Sequence, residues 1–380
     1  MDTTAGETPG ATRTKAAGAP RPPRREPRPY SGTTDAVGIA LLVCCGVWTL
    51  IAAAGRAARP EGTLLAILAV SAGYAAGRIL GALLPVLAPA VAAVAVLALV
   101  LVPPSRLSAH PDAPPLGYPN ADAALLVLAV GAACCAAWAV QGKGWRLGLR
   151  LVAAGAAVTA FALGSAAGFA AGIAVVLYSL AAARMRRRLL GLCGLALAAA
   201  LAVGGSYAVA VDALPSGLSE SLTGQLTQPR VELWHEAIDL AERHPLRGVG
   251  PERFTEENAG PPADATTAVA ASPPSAPLQL AAEQGIPGAA LLAVAFGWLL
   301  YALWRSPRPT PVVLTAGAAL TGLALLATVD HVLSYAVVTA GAGFLAGMAT
   351  ARPLPDDGCP PVAASTPGPL LPDDGFGPLR

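Results

Sequence analysis

Side chains able to do chemistry on a polar substrate are scarce in this chain, and most of them fall in one stretch, Arg230–Gly288. It reads RVELWHEAIDLAERHPLRGVGPERF, then a Pro/Ala-rich run, then SAPLQLAAEQGIPG. Within it, Arg230, Arg247 and Arg253 are cations, and His244 and Glu283 are groups that can accept or release a proton. Further on, Asp330-His331 forms a second acid–imidazole pair at the end of an apolar run. Cations beside a titratable base suit a reaction that builds negative charge on one group while taking a proton from another. No Cys/His spacing suggests a metal site, and no cofactor-binding motif is visible.

The rest of the chain says how these groups are housed. Of 380 residues, 54% are hydrophobic and only 13% charged; a soluble domain carries roughly 25% charged residues. Apolar runs near the length needed to cross a bilayer as helix recur along the sequence. They are continuous rather than alternating, which argues for helices over a β-barrel. The expected fold class is all-α: a polytopic transmembrane bundle of about ten spans with one large extracytoplasmic loop bearing short amphipathic helices. Net charge is +2, which gives no reason to expect nucleic acid as a partner. Five of the six cysteines lie inside apolar runs and Cys359 in the C-terminal tail; they read as small apolar filler.

The candidate spans are 36–54, 62–82, 86–102, 121–140, 147–163, 166–183, 189–211, 284–303, 311–329 and 332–350. The division between the fifth and sixth is the least defined. The first reads as a retained signal-anchor helix rather than a removed signal peptide. Residues 1–34 and 351–380 read as disordered cytoplasmic tails, 35–211 and 284–350 as two sets of membrane helices, and 212–283 as the extracytoplasmic loop. Placing the N-terminus inside puts every strongly basic connection on one side, as the positive-inside rule requires. These are Lys143, Arg146 and Arg150, then Arg184 and Arg186–Arg188, then Arg305 and Arg308. The short outer connections carry only Arg56, Arg59 and Arg106. Trp145 and Trp304 fall at inner ends, where interfacial aromatics are expected. A multi-pass plasma-membrane protein with both termini cytoplasmic follows, and membrane lipid is its first partner. The Arg184–Arg188 cluster also suits anionic lipid.

Gln228–Arg243 reads as a helix, with Val231, Trp234, Ala237, Ile238 and Ala241 at helical spacing. The expectation is that it lies flat on the membrane with Trp234 as interfacial anchor. His244-Pro245 ends it, and Gly248-Val249-Gly250-Pro251 forces a turn. Ser275–Gly285 reads as a second short helix feeding the next span.

Arg230, Trp234, Ala237, HPLRGVGPERF (His244–Phe254, with Gly248 and Gly250) and LQLAAEQGIPG (Leu278–Gly288, with Gln279 and Glu283) resemble the outer loop of the O-antigen ligase and polymerase family. LGYPNADAALLVL (Leu116–Leu128) resembles that family's segment with an Asn, here Asn120, at the outer start of a helix. The resemblance implies transfer of a glycan from a polyprenyl diphosphate to an acceptor hydroxyl on a lipid or another glycan, at the outer membrane face, in cell-envelope polysaccharide assembly. It implies a lipid-linked glycan donor and a glycan or lipid acceptor as partners. In that frame Arg230, joined by Arg247 and Arg253, binds the diphosphate, and Glu283, His244 or Asp330-His331 supplies the base. Two family features are absent. SPPSAPLQ carries Ser272 and Ser275 but no His before Leu-Gln, and the turn GSAAG (Gly164–Gly168) has Ala166 where an Arg is usual. Two other readings therefore stay open: a degenerate member that binds lipid-linked glycan or a partner without turnover, and a transporter or flippase. Against the last, the spans show almost no buried charge and no inverted repeat.

Overall fold

The computed structural model of the chain describes residues 31–102, 118–211, 213, 228–254 and 273–352. Both tails before Ser31 and after Arg352, Arg106, Ser272, Cys359 and the Pro/Ala-rich run lie outside those residues. Every described element is helical. Ten apolar helices follow the ten expected segments: α1 (Ser31–Ala53), α2 (Glu61–Leu83), α3 (Leu87–Leu101), α4 (Pro119–Ala139), α5 (Lys143–Ala162), α6 (Ala166–Ala182), α7 (Arg188–Ala210), α9 (Ala276–Arg305), α10 (Thr310–Val329) and α11 (Ala336–Thr350). Between α7 and α9 lies α8 (Gln228–Arg243), the one polar helix among the described residues. Seven of the ten are long and apolar enough to cross a membrane. The others have 15 (α3), 17 (α6) and 15 residues (α11). Fifteen residues rise only roughly 22 Å, so the shorter helices fall short of the ~30 Å hydrocarbon core.

The interior is built from α4 and α10, whose residues are almost all buried, and the other helices surround them. Large apolar side chains elsewhere, such as Leu68, Leu151 and Leu201, are exposed, as expected where the solvent is lipid. With no hydrophobic drive between helices in lipid, close packing holds the bundle together. It is tightest between α2 and α11. Gly73, Gly77 and Gly81 lie against Ala340, Phe344 and Met348 so closely that a methyl on any of them would overlap the α11 backbone.

Arg188 donates to the carbonyls of Ser306 (2.7 Å) and Arg308. Arg308 donates to the Ala351 (2.9 Å) and Gly81 carbonyls. The α6–α7 and α9–α10 turns and the ends of α2 and α11 therefore share one end, where Trp145 and Trp304 are exposed. At the other end the α1 terminus, the turn after α8, the start of α4 and the end of α10 meet. The basic connections picked out in the sequence are at the first end.

One expectation changes. α8 does not leave its apolar face for a membrane. Trp234 is 1% exposed, donates from Nε1 to the Pro274 carbonyl at 3.4 Å, and packs with Ala237, Val249, Phe254, Leu278 and Ala282. It is a core residue, because α9 offers that face an apolar partner. The second short helix is present. The range Ala276–Arg305 joins two helices across a kink at Gly285, whose φ of 72° and ψ of −175° are not helical, so a short helix before Gly285 feeds the longer one after it. Pro287 follows, and a proline removes a helical N–H and crowds the preceding turn.

Candidate functional site

Asp330 caps the end of α10 with extended backbone (φ −156°), which turns its carboxylate back into the bundle. It is 4% exposed. A buried carboxylate needs donors, and four groups supply them. The Tyr118 hydroxyl donates to Oδ1 at 2.7 Å, Asn120 Nδ2 donates to Oδ2 at 2.5 Å, and the His331 backbone N–H donates to Oδ1 at 2.7 Å. The Arg230 guanidinium stands 3.9 Å from Oδ2 and also donates to the Val329 carbonyl at 3.4 Å. The Tyr118 and Tyr335 rings stack beside the carboxylate, with centroids 5.9 Å apart and planes 3° from parallel.

Three elements distant in sequence make this cluster: the start of α4, the first turn of α8, and the α10–α11 connection. Pro119 at the first position of α4 fixes the entry that carries Tyr118 and Asn120. Burial holds the His331 imidazole below the usual histidine range; Asp330 opposes this and Arg230 adds to it. The imidazole thus favours its neutral, proton-accepting form. Burial, followed by the hydrogen bond to Asp330, pushes the Tyr118 hydroxyl up to about 12, so it remains a donor.

A second polar group lies on α9 before the bend. Glu283 is 4% exposed and accepts from Gln279 Nε2 at 3.2 Å, one helical turn earlier. Gln284 beside it accepts from Thr49 at 3.4 Å, and its main-chain carbonyl accepts from Trp48 Nε1 at 3.0 Å. Glu252 lies across from Glu283, in a left-handed conformation at φ 59°. Its carboxyl is raised above the usual range by burial, with Glu61 adding to this. Glu252, Gln279, Glu283 and Gln284 line one end of a cavity of about 410 Å³ between α1, α2, α9 and α11.

The turn after α8 holds the α9 bend from outside. Val249 N–H donates to the Ala282 carbonyl (2.9 Å), Gly250 N–H to Glu283 (2.8 Å) and Ile286 N–H to Pro245 (2.8 Å). At Gly248 (φ 59°) and Gly285 (φ 72°) a side chain would be strained and would also meet the opposing backbone. The Gly-x-Gly turn therefore docks on a helix; it does not form an open loop around a phosphate.

Of the residues picked out from sequence, the structure brings Arg230, Asp330, His331 and Asn120 together. Glu283 and Gln279 sit in the second group. Arg247 donates to the carbonyls of Ile51 and Ala54 (2.9 Å) at the end of α1. Arg253 lies beside Gly250, and His244 is exposed at the end of α8. Ala166 opens α6, whose cap is Ser165 accepting from the Gly168 N–H at 3.2 Å. Ser275 is fully buried, and among the described residues its hydroxyl has no hydrogen-bond partner. The spans also hold a buried charge, since Asp122 in α4 is fully buried, and a half-buried pair, Asp35 on α1 with Arg78 on α2 at 2.9 Å.

Sequence reading missed Tyr118, Tyr335, Arg56 and Gln284. Tyr118 was in view two residues before Asn120, but its role depends on a carboxylate 212 residues away. Arg56, which donates to the Gly248 carbonyl at 2.5 Å, read only as a connection charge. Among the described residues no group of acids, cysteines and histidines could hold a metal ion.

None of the curated proteins matches the chain. Residues 151–293, from within α5 to past the α9 bend, match the family described as O-antigen ligase. That match takes in Arg230, Trp234, the Gly-x-Gly turn, Gln279 and Glu283, and stops before Asp330-His331; over these residues the chain is similar to O-antigen ligases, and the matched stretch sits among helices long and apolar enough to cross a membrane.

Proposed function

We propose that the chain transfers a glycan from a polyprenyl diphosphate to an acceptor hydroxyl at the extracytoplasmic end of the bundle, in cell-envelope polysaccharide assembly. The observation that carries this is the convergence of Arg230, Asp330 and His331. The acceptor oxygen attacks the anomeric carbon while the bond from that carbon to the diphosphate oxygen breaks. The leaving diphosphate gains negative charge, which the Arg230 guanidinium offsets. The acceptor proton passes to the neutral imidazole of His331, and the resulting imidazolium lies beside the Asp330 carboxylate. In this reading Asp330 is a positioning residue, held by Tyr118 and Asn120. The pair stands in for the histidine that the family usually carries before the Leu-Gln element.

A second reading has its own support. Arg230 already faces a carboxylate and a carbonyl, and the GSAAG turn lacks the family's usual Arg and the SPPSAPLQ stretch its usual His. A chain that binds lipid-linked glycan without turnover fits those observations. The test is transfer of a labelled glycan from a polyprenyl diphosphate in reconstituted membranes, comparing wild type with Arg230→Ala, His331→Ala and Glu283→Ala. Turnover in wild type that is lost in the first two variants at unchanged protein level supports the transferase. Donor bound but never consumed across a broad acceptor panel favours the binder. Neither binding nor turnover would leave the family match as a fold without its activity.

A further inference from the structure

The cavity between α1, α2, α9 and α11 contains groups that the mechanism above does not use. One end is polar, with Glu252, Gln279, Glu283 and Gln284; the remainder is walled by apolar side chains such as Leu41, Leu292 and Phe296. Along α2 its lining runs from Gly62 to Tyr74, roughly 18 Å of helix and more than half of the ~30 Å hydrocarbon core. A slot of that shape accepts a hydrocarbon chain lying along the bundle.

The polar end shows which head it suits. Gln284 is 3% exposed, yet among the described residues its Nε2 has no hydrogen-bond partner. Buried donors in native structures are almost always paired, so an unpaired donor at a cavity wall points to a ligand acceptor. Beside it the Glu283 carboxylate accepts from Gln279 Nε2 and from the Glu252 backbone N–H, and its two oxygens keep capacity for a further donor. A hydroxyl group answers both at once, because its O–H donates to Glu283 while its oxygen accepts from Gln284. A phosphate does not: two carboxyls line the cavity and no Lys or Arg does, so an anion would be repelled. Leu333 and Ser334, two and three residues after His331, also line the cavity, which brings it close in the chain to the proposed base.

We infer that this cavity binds a lipid with a neutral, hydroxyl-bearing head, its chain along α2 and α9 and one hydroxyl between Glu283 and Gln284. Naming that lipid the acceptor rests on the transfer reading; its binding does not.

The test uses the full chain in phosphatidylcholine nanodiscs and a monoglycosyl diacylglycerol carrying a photoreactive group in one acyl chain. Crosslinks are expected on the α2 and α9 residues that line the cavity. The same probe with every head hydroxyl methylated should crosslink about tenfold less, the size expected for a hydrogen bond to a charged group. Gln284→Leu should lower the yield similarly. Should Gln284→Leu fail to fold, Ala66→Phe fills the apolar part without touching the polar end, and the methylated probe needs no variant. Equal yield from the methylated probe, stronger crosslinking by a phosphatidylglycerol probe, or crosslinks mapped elsewhere would overturn the inference. The two proposals fail separately. Glycolipid held in the cavity but never glycosylated sinks the transfer reading alone, whereas glycosylation with crosslinks outside the cavity sinks only this one.

Discussion

At the scale of single residues the cluster around Asp330 makes the sharpest demands. Removing Arg230 takes away the cation placed to meet the leaving diphosphate, so Arg230→Ala should lower turnover about 10²–10³-fold, read as initial rate at saturating donor. His331→Ala should cost about 10²–10⁴-fold. Tyr118→Phe is subtler. It leaves Asp330 with one donor fewer in a buried setting and should cost about 1.5–3 kcal/mol of stability, measured as thermal unfolding in detergent. The buried imidazole also sets a pH dependence. Its folded-state value lies below the ordinary ~6.5 of the unfolded chain. Between those two values the unfolded state binds more protons, so the folded state loses stability as pH falls below about 6.5. His331→Gln should flatten that slope; an unchanged slope would place the titrating group elsewhere. The chemistry of these residues was only partly legible in the sequence. Arg230 and Asp330-His331 stood out because polar groups are rare in this chain, and Asn120 because its segment resembles one of the family's. Their convergence did not, since it depends on how three separated helix ends meet. Trp234 misled for the opposite reason: a tryptophan on an amphipathic helix looks the same whether its partner is lipid or another helix.

At the scale of elements, periodicity and charge were enough to find the ten apolar helices, because an unbroken apolar run has few alternatives in lipid. What they left out was how the helices bend and how closely they approach. The α9 bend is held by paired backbone hydrogen bonds from the turn after α8, so the positive φ of Gly285 is a requirement of docking. Gly285→Ala puts a side chain into a strained conformation, costing about 1–3 kcal/mol, and also drives it into the Pro245–Leu246 backbone. The expected result is a loosened turn: lower unfolding temperature and faster protease cleavage near Leu246, which is already exposed. The α2–α11 contact makes a separate demand. A methyl at Gly77 would overlap the Phe344 carbonyl, so Gly77→Leu should separate the two helices and abolish folded yield, while Gly194→Leu on the open face of α7 should not. Equal yields would mean that the close approach does not hold the bundle.

At the scale of the whole molecule the remaining question is which end of the bundle faces the cytoplasm. Lys143, Arg146, Arg184, Arg187, Arg305 and Arg308 belong to the end where α6–α7 and α9–α10 meet. Among the described residues of that end the acid is Asp35, already paired with Arg78. Cations held at one end resist transfer across the membrane, so that end should remain inside and the Arg230–Asp330 cluster should face out, where a lipid-linked glycan would meet it. Single-cysteine labelling decides the matter. In a background with the native cysteines replaced, Glu242→Cys, exposed on α8, should react with a membrane-impermeant maleimide in intact cells. Arg187→Cys, exposed at the basic end, should react only after the membrane is opened. The reverse pattern would turn the molecule over and put the cluster on the cytoplasmic face, away from any extracytoplasmic acceptor. Labelling at both positions in intact cells would instead show two orientations. The arginines would then be too weak a determinant, and further neutralisation of Arg184 and Arg186 should shift the ratio toward the inverted form.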